Sequence, residues 1–290
     1  MSEPTQPPSR AQRILRSAPA RLGIGLAAVV AATVAAMLAS QALQLPPLVA
    51  NAVTLAACVA AYVGFVRLVE ARPVVELGGA GAAAEFARGA ALGAALFGAT
   101  MALLALAGVA HITRGGGWRA VPIPLVGALA AAFSEELLVR GVFFRIVEES
   151  LGSVVAVALS AAIFGALHGF NPGATLVSTL SIAFEAGVLL AAAYVFSRRL
   201  WLPIGLHFAW NFTEGGVFGA SVSGHSGHGF WRSTFDGATL LSGGQFGPEA
   251  SIVAVALCFG AGVALLLSGR RRGRFVAPFW RRAPRSHEGL

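Results

Sequence analysis

VPIPLVGALAAAFSEELLVRGVFF, residues 121–144, reads as a membrane-crossing helix except that Glu135, Glu136 and Arg140 lie inside it. A span needs about 20 apolar residues, and this run supplies them. Charges inside hydrocarbon are costly, so each of the three needs a reason to be there. The composition supports reading the run as a span. Of the 290 residues, 56% are hydrophobic and 12% charged, and mean hydropathy is +0.74. An average soluble domain is about 25% charged. The expected fold class is therefore all-α, a polytopic integral membrane helix bundle.

Eight segments are apolar enough to be spans: 22–43, 47–67, 86–109, 122–144, 152–170, 174–196, 202–219 and 250–268. They form one bundle over 22–268, between a basic tail at 1–21 and a second basic tail at 269–290. No AxA-like cleavage site follows the first span, and the 21 residues before it are too polar and too long for the n-region of a signal peptide. The first span is thus expected to stay as an anchor.

All 21 basic residues are arginine, which together with heavy Ala and Gly use points to a GC-rich bacterial genome and a bacterial cytoplasmic membrane. With both termini cytoplasmic, 17 arginines fall inside, Arg114, Arg119 and Arg232 fall outside, and Arg140 is within a span. Basic residues concentrate on the cytoplasmic side of membrane proteins, so this orientation is selected. The net charge of +8 is then topological and not a sign of nucleic-acid binding, because the arginines flank spans and do not cluster on a soluble domain. The tail RRRGRFVAPFWRR reads as a stop-transfer anchor, with an interfacial segment as the alternative. Cys58 and Cys258 each fall in a span and read as small buried hydrophobes.

The Gly- and Ser-rich segment 220–249 is the long outer loop, either flexible or a cap on the bundle. His225 and His228 within it could hold a metal only on a helix, which the surrounding glycines oppose. Small residues elsewhere are expected at close helix crossings. The chain shows no internal repeat, which argues against a small proton-coupled transporter.

The remaining intramembrane polar residues are Glu135, Glu136, Arg140, His168, Glu185, His207 and Asn211. Glu136 and Arg140 stand i, i+4 in the favourable order and can neutralise each other. Glu135 lies about 100° round the helix and has no local cation. His207 and Asn211, again i, i+4, share one face. Phe164 precedes His168 by one turn and can buttress its ring. Glu185 can serve a proton path, partner an arginine or line the rim of a wet cavity, and a structural place is the favoured reading. Jointly, a free carboxylate, two imidazoles and an amide from three helices make an active-site inventory. Counted from the cytoplasmic ends at about 1.5 Å per residue, however, Glu135 comes out near 15 Å deep and His207 near 12 Å, but His168 near 24 Å. Span five is therefore expected to tilt or to begin later than drawn, and a shallow site would open to the cytoplasm.

At these residues the chain resembles the CAAX protease and bacteriocin-processing family of intramembrane proteases (the CPBP or Abi proteins), which includes the type II CAAX prenyl endopeptidase. The resemblance rests on EELLVR at 135–140, FGALH at 164–168 and HFAWN at 207–211, in order on separate spans, and covers about 120–215. It implies an endopeptidase acting on a membrane-associated protein or peptide. Glu135 would be the catalytic carboxylate, His168 its partner in activating water, and His207 and Asn211 the oxyanion donors. Glu136, Arg140 and Phe164 would support them. A zinc mechanism with Glu135, His168 and His207 as ligands suits the same residue types equally well. A non-enzymatic bacteriocin-immunity or partner-binding protein is the alternative function.

Overall fold

The structure, a computed structural model, describes residues 17–281. Most of the N-terminal tail and the last nine residues of the C-terminal tail lie outside the described residues. The eight expected segments fall on helix to within a few residues. Helix α1 is Ala18–Ala42, α2 is Pro47–Gly64 with a π-helical turn Phe65–Val69, and α3 is Ala82–Leu106. Helix α4, Pro122–Glu136, continues as π-helix over Leu137–Phe144 into α5, Arg145–His168. Helix α6 is Leu176–Ile182, joined through the π-helical Ala183–Gly187 to α7, Val188–Ser197. Helix α8, Trp201–Asn211, ends in a π-helical stretch Phe212–Val217, and α10, Ile252–Arg271, follows the short α9, Thr239–Ser242.

Six of these helical runs are long and apolar enough to cross a membrane, and one of them, Gly117–His168, holds 52 residues. That run covers the fourth and fifth expected spans. It reverses at Gly152, whose φ of 81° and ψ of 167° are outside any helix. Large apolar side chains such as Leu38, Val154 and Leu106 stand exposed on the outside of the bundle, as lipid-facing residues do. The chain is an integral membrane protein.

The chain is mostly helical, as expected, and carries one small sheet besides. Strand β1, Ala110–Arg114, pairs antiparallel with β2, Trp231–Phe235, in the register Ala110↔Phe235 to Arg114↔Trp231. Ile112, Thr113, Trp231, Thr234 and Phe235 are the β-branched and aromatic types that favour a pleated surface. The Gly- and Ser-rich loop is thereby a cap on the bundle: Gly116 and Gly117 donate to the carbonyls of Gly229 and Phe230, and Gly224 to that of Phe246.

Two features fix the rest. Glycines at a four-residue spacing, Gly89 and Gly93 of α3, let the backbone of α8 pass so closely that a Cβ would strike the carbonyl oxygens of Leu202 and Leu206; Gly205 meets the Phe86 carbonyl in return. This is the small-residue seam expected of membrane helices, and it positions the helix that carries His207. At the arginine-rich end, Glu70 accepts from Arg21, Arg72 and Arg145, while Arg198 grips Glu148 with both terminal nitrogens at 2.8 and 2.7 Å. Burial alone would raise the Glu70 carboxyl, but Arg145, Arg21 and Arg72 outweigh it and hold it below its ordinary value of 4.5. Its contribution to stability is thus complete above pH 4.5 and is lost as pH falls through the lower folded value. In acid unfolding scans, Glu70→Gln is expected to remove this pH-dependent component, and an unchanged acid limb would refute the role.

The described part of the C-terminal tail docks on the turn at Gly152. Ser153 donates through its amide to Val276 O at 3.0 Å, and Ser153 Oγ accepts from Val276 N at 2.8 Å. A Cβ on Gly152 would lie 2.8 Å from Pro278 N and 2.9 Å from Val276 O. Its backbone conformation is also one that essentially only glycine adopts. Gly152→Ala is therefore expected to cost about 1–3 kcal/mol and to free the tail, measurable as a lower Tm and faster proteolysis beyond Arg272. Wild-type behaviour in both would refute the clamp.

Candidate active site

The reversal at Gly152 also removes the depth mismatch. Helix continues through Phe144 to Leu151, so span four ends nearer Gly152 than Arg145. Glu135 is 17 residues from Gly152 on one arm of the hairpin, and His168 is 16 on the other. At about 1.5 Å per residue both stand about 25 Å from the turn. No special tilt of span five is needed, and the site lies far from the arginine-rich end.

There Glu135, His168 and His207 come together. Glu135 Oε2 is 3.8 Å from His168 Nε2 and 3.9 Å from His207 Nε2. Both gaps are too long for a direct hydrogen bond. Oε2 is buried and has no hydrogen-bond partner among the described residues, although the Glu135 side chain as a whole is 35% exposed to the cavity. Each imidazole is anchored through its other nitrogen. His168 Nδ1 is 2.8 Å from the Phe164 carbonyl oxygen, which as an acceptor assigns the proton to Nδ1. His207 Nδ1 is 3.1 Å from Glu136 Oε1.

That same Glu136 oxygen accepts from Arg140 Nη1 at 2.8 Å, with both side chains fully buried. Arg140 Nη2 donates to the Gly187 carbonyl at 3.1 Å, and its guanidinium lies 4.5 Å above the Phe164 ring centre. The Glu136–Arg140 pair seen in the spacing is therefore not private. It holds His207, and Phe164 touches three residues of the site: Arg140, His168 at 4.6 Å and His207 at 6.0 Å between ring centres. Asn211 lines the same cavity one turn beyond His207.

The cavity measures about 730 Å³ and is walled by Glu135, His168, His207 and Asn211, with apolar Ile123, Leu189 and Leu206. Ligand pockets commonly span about 300–1,000 Å³. Glu185 belongs to this wall, with Oε2 buried and unpartnered among the described residues. Two carboxylates escaped sequence reasoning. Glu214 is fully buried, and Glu249 is 3% exposed and accepts from the Ser223 amide at 2.7 Å, tying the cap to the site. Burial pushes the Glu249 carboxyl above its ordinary value, with the Ser223 amide pulling the other way. The spacing His207, Asn211, Glu214 could have revealed Glu214 as a third residue on that helix face. His225 and His228 line the cavity but share no helix, and His225 Nδ1 faces Ser223 O at 3.2 Å. Among the described residues, no group of three or more His, Cys, Asp or Glu side chains is placed to hold a metal ion. Cys58 and Cys258 are free and buried.

A carboxylate, two oriented imidazoles and an amide around an internal cavity of a helical membrane protein are groups that hydrolytic chemistry can use. The family model described as type II CAAX prenyl endopeptidase Rce1-like matches residues 117–213, which contain all three motifs. Over that segment, which holds EELLVR, FGALH and HFAWN, the chain is similar to this family, and the family is one of proteases. Comparison with curated proteins and with solved structures gives no match.

Proposed function

We propose that the protein is an intramembrane endopeptidase that hydrolyses a peptide bond of a membrane-associated substrate with a water activated by Glu135 and His168. The observation that carries this reading is the unpartnered Glu135 Oε2 facing two Nε2 atoms whose rings are anchored from behind. A gap of nearly 4 Å between polar atoms is one that a water beside them can bridge. With its proton on Nδ1, His168 presents the Nε2 lone pair, so such a water donates to Nε2 and to Glu135 and turns its own lone pair toward the substrate carbonyl. Glu135 takes the proton as the C–O bond forms and returns it to the leaving amine as the C–N bond breaks.

His207 and Asn211 serve the oxyanion. Glu136 Oε1 accepts from Arg140 Nη1 and takes the Nδ1–H of His207, and a His207 ring protonated on both nitrogens then also donates through Nε2 to the developing oxyanion. Asn211 adds a neutral donor. Removing one such donor costs about 10²–10³ in turnover, so Asn211→Ala is expected to lower kcat by that factor with little change in KM; an unchanged kcat would remove Asn211 from the mechanism.

Glu135, His168 and His207 are also the residue types of a two-histidine, one-carboxylate zinc site. Their placement in this structure does not meet the geometry of a metal cluster, and the reaction derived above is routed through the side chains alone. Purified protein is expected to cleave membrane-anchored peptides at the same rate after chelation, with metal content far below one per chain. Abolition by chelator and recovery with zinc would overturn the metal-free route.

A further inference from the structure

The two ends of the molecule differ in charge, and the cavity belongs to one of them. Arg21, Arg67, Arg72, Arg145, Arg198, Arg199 and the run Arg270–Arg272 lie at the end closed by the Gly152 turn, joined by their ion pairs and by the docked tail. The opposite end carries Arg114 and Arg232 in the β-sheet and Arg119 just after it. The acidic partners at the first end do not cancel the bias, since Asp and Glu contribute little to orientation. The first end is therefore the cytoplasmic one.

None of those arginines is among the residues that line the cavity. Its lining includes Ser223, His225, Ser226 and His228 of the cap, together with Asn171 just beyond the end of α5. Glu135 and His168 also line a smaller cavity of about 200 Å³, with Leu138, Val139, Phe164, the exposed Leu167 and Asn171.

We infer that the site works on the extracytoplasmic side, on exported polypeptides held in the membrane by an apolar segment and cut close to its outer end. The anchor stays in the bilayer, and the polar chain that follows it meets the reacting groups from the side of the cap. A substrate cut in the cytoplasm would have to reach the same groups past the closed, ion-paired end. The nature of the cut bond rests on the endopeptidase reading above, whereas the side of the membrane rests on charge and cavity placement.

The test uses the full-length protein in bacterial spheroplasts. Ser226→Cys in the cap and Arg67→Cys at the opposite end are exposed positions, and the native Cys58 and Cys258 are buried and set the background. A membrane-impermeant maleimide is expected to label Ser226→Cys in intact spheroplasts and Arg67→Cys only after permeabilisation. The same cells then receive two reporters with one apolar anchor and one cleavable segment, placed outside in the first and inside in the second. Only the first is expected to be cut, with at least a tenfold preference. Reversed labelling, or cutting of the inner reporter alone, overturns the outward assignment and leaves the endopeptidase reading standing. Outward labelling with neither reporter cut overturns the endopeptidase reading, and the substrate class falls with it.

Discussion

Glu135→Gln is expected to abolish peptide cleavage while leaving the protein folded. The amide matches the carboxylate in size and can still hold a water, but it cannot take a proton from it. General-base catalysis is worth about 10²–10⁴-fold, and residual turnover should fall at least that far. Stability should stay nearly constant, because Glu135 Oε2 contributes no hydrogen bond to the fold among the described residues. The adjacent Glu136→Gln is the contrasting control. It removes the charge that Arg140 and the His207 ring both use, so it should lower stability as well as turnover. If Glu135→Gln retained more than a tenth of wild-type kcat, the carboxylate would not be the base.

Arg140→Leu is expected to have the largest effect on stability. Arg140 and Glu136 are both fully buried, and removing one member of such a pair strands the other charge at a cost of about 3–5 kcal/mol. The loss extends to the Gly187 carbonyl and to the contact with Phe164. Adding Glu136→Gln to Arg140→Leu should recover part of it, because no stranded charge is left; a double-mutant cycle in detergent unfolding measures that coupling. The recovered protein should remain inactive, since His207 has then lost its charged anchor. A single-variant cost below about 1 kcal/mol, the range of exposed ion pairs, would refute the buried-pair account.

How far the sequence could be read depended on whether the relevant interaction was local. Positions i, i+4 face each other on any helix, so Glu136 with Arg140 and His207 with Asn211 were legible, as was the isolation of Glu135. The convergence of these groups depended on where each helix stops. Residues 144–152 have no apolar signal separating helix from loop, and the π-helical stretch Leu137–Phe144 leaves no mark in composition. That is why the depths of Glu135 and His168 failed to agree on paper. The cap was illegible for a different reason. Its order comes from remote backbone partners, such as Phe246 for Gly224 and Gly229 for Gly116, and not from any pattern within the loop. Glu249 lay just outside an apolar window, and its burial follows from that cap.

The contact between Gly152 and the tail also bears on how the protein is made. Val276 is synthesised 124 residues after Gly152, so the turn linking the helix of Glu135 to that of His168 must wait, unsealed, while the third motif and the cap are translated and inserted. Maturation of the site is then a late event in biogenesis. A ribosome stalled before Val276 would leave a chain with all three motifs inserted in the membrane but its hairpin still open.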